Sequence, residues 1–296
     1  MLLPLWNIGG GGKHRDKLIP YFRDSKVFYD TNHKLFNYVY DSIFGLKWNG
    51  GRVCLPSDFM AIPNLIELVG EYNRLGVGFN WSFTNTLITE EDLKDDYCNL
   101  LLEATHDSLN GVIIVSEILA NYIREKYPKF RIIYSVCNGL KTIEQYTDAV
   151  EKYDIVVLHP DFNHDYKFLD KLPKKEKIEV MVNDICSFGC PYRAQHYNQL
   201  SLCAKVQSTN PIIHDMIDLD YGKYNCMAVA NGYTKDQRNR LTFADIEHML
   251  DMGFEHFKLI GREHEWDYYK ETDLRPNLEQ FWLRKVLKEV NQHLHI

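Results

Sequence analysis

No stretch of the 296 residues comes near the roughly 18 consecutive apolar positions of a bilayer-spanning helix, so no membrane span is expected. The first residues, Met1 to Lys13, lack a basic segment followed by an apolar run, which speaks against a secretory signal and for a cytoplasmic protein. Excess positive charge is also missing: 34 Lys+Arg against 41 Asp+Glu leave a formal charge of −7. That balance disfavours a long nucleic-acid track held by charge, although it permits a small basic pocket. An even cysteine framework is absent too, since the seven cysteines are an odd number in a chain without an export signal, and disulfides are not expected. There is no internal repeat and no low-complexity run. What is present, 45% hydrophobic and 25% charged residues, is the composition of a folded globular chain.

Short β-branched or aromatic runs alternate with amphipathic stretches. The runs predict strands over Lys26–Thr31, Arg52–Leu55, Val77–Ser82, Gly111–Ser116, Arg131–Val136, Asp154–His159, Ile178–Asn183 and Phe254–Ile260. Between them, Thr89-Glu-Glu-Asp92 has the form of a capping box ahead of Leu93, Tyr97, Leu101 and Ala104. Ile143, Tyr146, Thr147 and Val150 fall at helical spacing, and Thr242 with Asp245 opens a helix carrying Ile246, Met249 and Leu250 that stops at Gly253. Strands such as Gly111-Val-Ile-Ile-Val-Ser116 are apolar at consecutive positions, as in parallel strands covered on both faces. Eight strand-helix units predict an α/β fold, a (β/α)8 TIM-barrel-like single domain over residues 1–296, with a cysteine-rich insertion, residues 184–253, between the seventh and eighth strands. An open doubly wound sheet is the alternative. Gly9-Gly-Gly-Gly12 before Lys13 and His14 lacks the spacing of a phosphate-binding loop and reads as a turn.

Cys54, Cys98 and Cys137 stand singly and read as small buried hydrophobes. Cys186, Cys190, Cys203 and Cys226 lie within 41 consecutive residues. Thiolates three residues apart on a glycine-containing turn can converge on one soft metal centre, and two further cysteines can complete it. Structural zinc favours tight pairs, so the single tight pair leans toward iron-sulfur while zinc stays open. His196 is a substitute ligand, and Cys203, inside a helix predicted over Tyr197–Lys205, is the least secure of the four.

Cysteines just after a late barrel strand, then Phe257-Lys-Leu-Ile-Gly-Arg262 behind a helix closing at Gly253, resemble the collagenase-like peptidase family U-32 over about Ile178 to Arg262. The resemblance implies a barrel whose four cysteines, here Cys186, Cys190, Cys203 and Cys226, hold an iron-sulfur cluster, 4Fe-4S foremost. It also marks Lys258 and Arg262 as site residues at the last strand. The family includes oxygen-independent hydroxylases of ubiquinone precursors and of RNA, which implies a small aromatic or nucleic-acid-derived substrate and an electron donor or partner subunit. Ile260 stands where the family carries an acidic residue.

The remaining candidates come from strand ends. His159 and Asp161 read either as a general acid or base with an orienting carboxylate, or as a turn in which Asp161 caps the next helix. Arg193 and Arg262 could grip a carboxylate or phosphate, or pair with an acid that holds the insertion on the barrel. Two further readings compete: a zinc-stapled barrel exchanging bases on nucleic acid with Asp30 or Asp161 as nucleophile, and a metal-stapled binding protein without catalysis.

Overall fold

The computed structural model describes residues 4–28, 36–52, 54, 59–184, 186–209, 232 and 238–260. Eight parallel strands close in sequence order into a barrel. They are β1 (Leu5–Gly9), β2 (Phe36–Asp41), β3 (Gly78–Phe83), β4 (Gly111–Ile114), β5 (Arg131–Tyr134), β6 (Ile155–Val157), β7 (Ile178–Met181) and β8 (His256–Leu259). Helices α1 (Arg15–Phe28), α2 (Ile62–Arg74), α3 (Asp96–Ala104), α4 (Glu117–Lys126), α5 (Ile143–Lys152) and α6 (Tyr166–Lys171) follow β1 to β6 in turn, and α7 (Arg193–Thr209) and α8 (Phe243–Asp251) lie between β7 and β8. Among the described residues no helix is long and apolar enough to cross a membrane.

Strand alternation sorts the apolar side chains into two cores. Outward-pointing Trp6, Ile8, Val39, Phe79, Trp81 and Phe83 are fully buried beneath the helices, each large side chain contributing about 1.5–3 kcal/mol of transfer free energy. Inward-pointing Tyr38, Tyr40, Ile113, Ile133, Ile155 and Val157 fill the barrel. Helix starts follow local chemistry. Thr142 and Gln145 form a reciprocal capping box at α5, as Thr242 and Asp245 do at α8, where the predicted start stands.

Two of the eight predicted strands sit elsewhere. Lys26–Phe28 belong to α1, and residues 29–31 lie outside the described part. A short apolar run cannot separate strand from helix by period, and Leu18, Ile19 and Phe22 carry the helical face inward. At Arg52 the chain bends, with the guanidinium on Asp41 at 2.9 Å, and Val53 and Leu55 lie outside the described residues. The true first strands are β1 and β2, short and marked by only a few apolar residues. The Thr89 capping box does not open a helix: Glu91–Lys94 form a 3-10 turn, and α3 begins under Asp95, whose side chain accepts from Cys98 N–H. The glycine run ends β1 and turns. The N–H groups of Gly12 and Lys13 donate to Asp41 Oδ2 at 2.8 and 3.1 Å, so the anion they hold is the chain's own carboxylate.

Candidate active site at the barrel mouth

His159 follows β6 and is buried to 6% exposure. Its backbone N–H donates to Tyr146 Oη at 2.8 Å, and its Nδ1 accepts from Asp161 N–H at 3.3 Å, capping the turn Pro160–Phe162. An accepting Nδ1 leaves the proton on Nε2. Burial first, then the Arg193 charge, push the imidazole down to about 4 against the pull of Asp161. At neutral pH His159 is therefore an uncharged ring presenting Nε2–H, and its 3.7 Å approach to Asp161 Oδ2 is no salt bridge there.

Asp161 does not cap α6; Asp165 does. Instead its Oδ1 accepts from Arg193 Nη2 at 3.1 Å and from Asn239 Nδ2 at 3.3 Å, and its Oδ2 accepts from Gly189 N–H at 3.1 Å. Arg193 also reaches Asp184 Oδ2 at 3.4 Å and donates to the Ser187 carbonyl at 3.1 Å. Asp184 in turn accepts from Cys186 N–H, and the Cys186 carbonyl accepts from Asn239. One buried guanidinium between two carboxylates thus shapes the loop 186–190, with Gly189 at φ +60° allowing its turn. Arg193 is engaged with acids that fasten this loop to the barrel.

From that anchor α7 runs to the opposite rim. Ser201 Oγ accepts from Thr86 N–H at 2.9 Å, Asn85 Nδ2 donates to the Ser201 carbonyl at 3.0 Å, and Lys205 pairs with Asp92 at 2.6 Å. Because β3 and β7 face each other across an eight-stranded ring, a helix fixed at both ends lies over the mouth. Its stripe Arg193, Tyr197, Leu200, Ser201 and Ala204 is the buried side.

No disulfide joins any two of the six described cysteines. Cys54 and Cys98 are buried, as their surroundings predict, but Cys137 is half-buried on the turn after β5, where a side chain on Gly51 would come within 2.8 Å of its Sγ. Cys186 and Cys190 sit half-buried on the fastened loop, at the height where a barrel works. Cys203 stands ten residues into α7, about 15 Å along its axis. Among the described residues no three His, Cys, Asp or Glu side chains come together as metal ligands. Cys226, like Arg262 and Asp30, lies outside the described residues, so the four cysteines are not described as one group.

Lys258 is placed in the barrel interior, in a second cluster. Its Nζ meets Glu179 Oε1 at 2.9 Å and lies 4.0 Å from the centre of the Tyr40 ring. Glu179, fully buried on β7, also accepts from Asn7 Nδ2 at 2.9 Å and from Tyr38 Oη. Burial and the neighbouring Glu179 charge push the Tyr38 phenol well above its ordinary range, so it stays a donor. Sequence reasoning missed Glu179, Tyr38, Asn7 and Asp184. The available signal was a glutamate and an asparagine standing inside otherwise apolar strands, where an enclosed polar group demands a partner.

A solved structure of the U32 peptidase Mk0906 matches with a TM-score of 0.58 at 14% sequence identity, covering 89% of this chain and 94% of that one. At that identity the match shows a shared fold, which agrees with the resemblance read at the last strand. No family model and no curated protein matches the sequence.

Proposed function

We propose that the chain is a cytoplasmic barrel enzyme of the U-32 kind that works at the carboxyl-terminal mouth beneath α7. The observation that carries this is the meeting of His159, Asp161, Asp184 and Arg193 in one enclosed cluster at the ends of β6 and β7. Three charged groups and an imidazole are costly to enclose for packing alone, and they fasten a loop bearing two thiols at the mouth.

In the finer reading, Cys186, Cys190 and Cys226, with Cys203 as the least secure fourth ligand, hold an iron-sulfur cluster, fed by an electron donor or partner subunit. The reaction is oxygen-independent hydroxylation or a related modification of a small aromatic or nucleic-acid-derived substrate. Such a cluster supplies electron transfer when bound. The chain's own contribution is positional and electrostatic. Neutral His159 offers Nε2–H to an oxygen of the substrate, Arg193 holds the loop through Asp161 and Asp184, and α7 excludes water. Base exchange through Asp161 is disfavoured, because three donors already occupy its two oxygens.

Protein purified without oxygen tests this reading by its visible spectrum with iron, sulfide and zinc analysis, beside Cys186→Ala and Cys226→Ala. Broad absorption near about 400 nm with matching iron and sulfide, lost in both variants, is expected. A colourless protein holding about one zinc, or no metal, overturns it.

A further inference from the structure

The interior of this barrel is not closed in the way its outer core is. Outward-facing Phe79, Trp81 and Phe257 have no exposed surface, whereas inward-facing Tyr40, Ser82 and Ile260 each keep 8% and Lys258 keeps 6%. Accessible surface on these four inward side chains places a small lumen beneath α7. Its walls differ. Register places Lys258 beside Met181 on β7, and Ser82 beside Ile113 on β4.

The donors outnumber the acceptors. Lys258 brings an ammonium, His159 an Nε2–H and Ser82 a hydroxyl, while the acids nearby are already held: Glu179 by Lys258, Tyr38 and Asn7, and Asp161 and Asp184 by Arg193. Beside them, on the same inward face, lie the side chains of Ile113, Met181 and Ile260. Behind the lumen, Asn80 is fully enclosed on the face of β3 that carries Ser82, and neither its Oδ1 nor its Nδ2 has a partner among the described residues. An enclosed amide left unsatisfied is a feature that calls for an explanation, and a polar ligand is one.

We infer that the lumen binds a small monocarboxylate with an apolar body, its carboxylate on the Lys258 ammonium and its body against Ile113, Met181 and Ile260. The inference rests on the reading of the mouth as the working site, and it names the ligand class of that site. In it Glu179 is a competitor, because it occupies Lys258 whenever the ligand does not. That gives the site a signature that a purely structural ion pair lacks. Removing the charge of Glu179 frees the ammonium and tightens carboxylate binding.

Ligand-observed NMR titration of the full chain with benzoate and isovalerate, beside their uncharged amides benzamide and isovaleramide, tests this. The carboxylates are expected to bind about tenfold more tightly than the amides. Glu179→Gln, which preserves the Asn7 and Tyr38 contacts, is expected to tighten the carboxylates roughly threefold or more. The charge-balanced double variant Lys258→Met with Glu179→Gln avoids a stranded carboxylate and is expected to abolish their preference. Equal binding of acids and amides, weaker acid binding by a folded Glu179→Gln, or a preference that survives the double variant would each overturn the assignment. Binding is read without turnover, so a protein lacking iron, sulfide and zinc refutes the cluster while this titration is decided separately.

Discussion

Replacing Arg193 by leucine tests the fastening of the loop most directly. The guanidinium is 7% exposed and touches Asp161 Oδ1 at 3.1 Å, Asp184 Oδ2 at 3.4 Å and the Ser187 carbonyl at 3.1 Å. Its removal leaves two carboxylates facing each other, with side chains 20% and 4% exposed. Breaking a buried pair on one side costs about 3–5 kcal/mol. Asp161 keeps its bonds from Gly189 and Asn239, and Asp184 keeps Cys186 N–H, so the lower end, about 3 kcal/mol, is the expected cost. For a chain of this size that lowers Tm by roughly 6 °C. Most of the loss comes from stranded charge. Arg193→Leu combined with Asp161→Asn and Asp184→Asn is therefore expected to recover about half or more of it. Thermal melts measure the global effect, and the reaction rate of Cys186 and Cys190 with a thiol reagent measures the local one, which should rise in Arg193→Leu. A variant within about 2 °C of the parent, or a triple variant no more stable than the single one, would refute the reasoning.

Other expectations follow from the same geometry. Burial holds His256 neutral down to about pH 4, so the unfolded chain takes up that proton first as acid is added. Stability is therefore expected to fall from about pH 6.5 down to about pH 4, with His256 alone contributing about 3 kcal/mol of the loss beside that from His159. His256→Gln should flatten that slope, and an unchanged melting profile against pH would contradict this. Gly111→Ala places a methyl 2.5 Å from Asn80 Oδ1 and 2.7 Å from the Arg131 carbonyl, and about 1–3 kcal/mol should be lost in melts. Adding Asn80→Ala should return only part of it, since the carbonyl is backbone. Ser201→Ala removes the acceptor for Thr86 N–H midway along α7 and should cost about 1 kcal/mol. It should also speed trypsin cleavage after Lys205; equal cleavage would show that the clasp does not hold α7.

Much of the barrel could be read in advance because parallel strands covered on both faces announce themselves. From β4 onward each predicted strand contains the observed one, Val77–Ser82 overlaps β3 but stops short of Phe83, and the helix start predicted at Thr242 stands in the structure. The first two strands resisted for a physical reason. β1 is Leu-Trp-Asn-Ile-Gly, five residues in which Asn7 turns inward to Glu179, while Lys26-Val-Phe28 mimic a strand within α1. Strand count and order survive such an error, because a missed strand and a false one compensate when the helices between them are sound.

The site was legible one residue at a time but not as an arrangement. His159, Asp161 and Arg193 could be picked from strand ends and from a loop, yet their roles depend on groups brought from elsewhere in the chain. Nδ1 of His159 is taken by a backbone N–H, and Asp161 is taken by Arg193, Asn239 and Gly189. A His-Asp pair two residues apart suggests a carboxylate that orients an imidazole through Nδ1–H. Here the turn between them reverses that bond, so the imidazole accepts where the pairing logic has it donate, and burial then keeps it neutral. The consequence reaches the chemistry. An imidazole whose Nδ1 is filled and whose Nε2 carries the proton cannot take a proton at neutral pH without losing its turn, so in the proposed reaction we assign His159 the part of a hydrogen-bond donor to developing negative charge rather than that of a base.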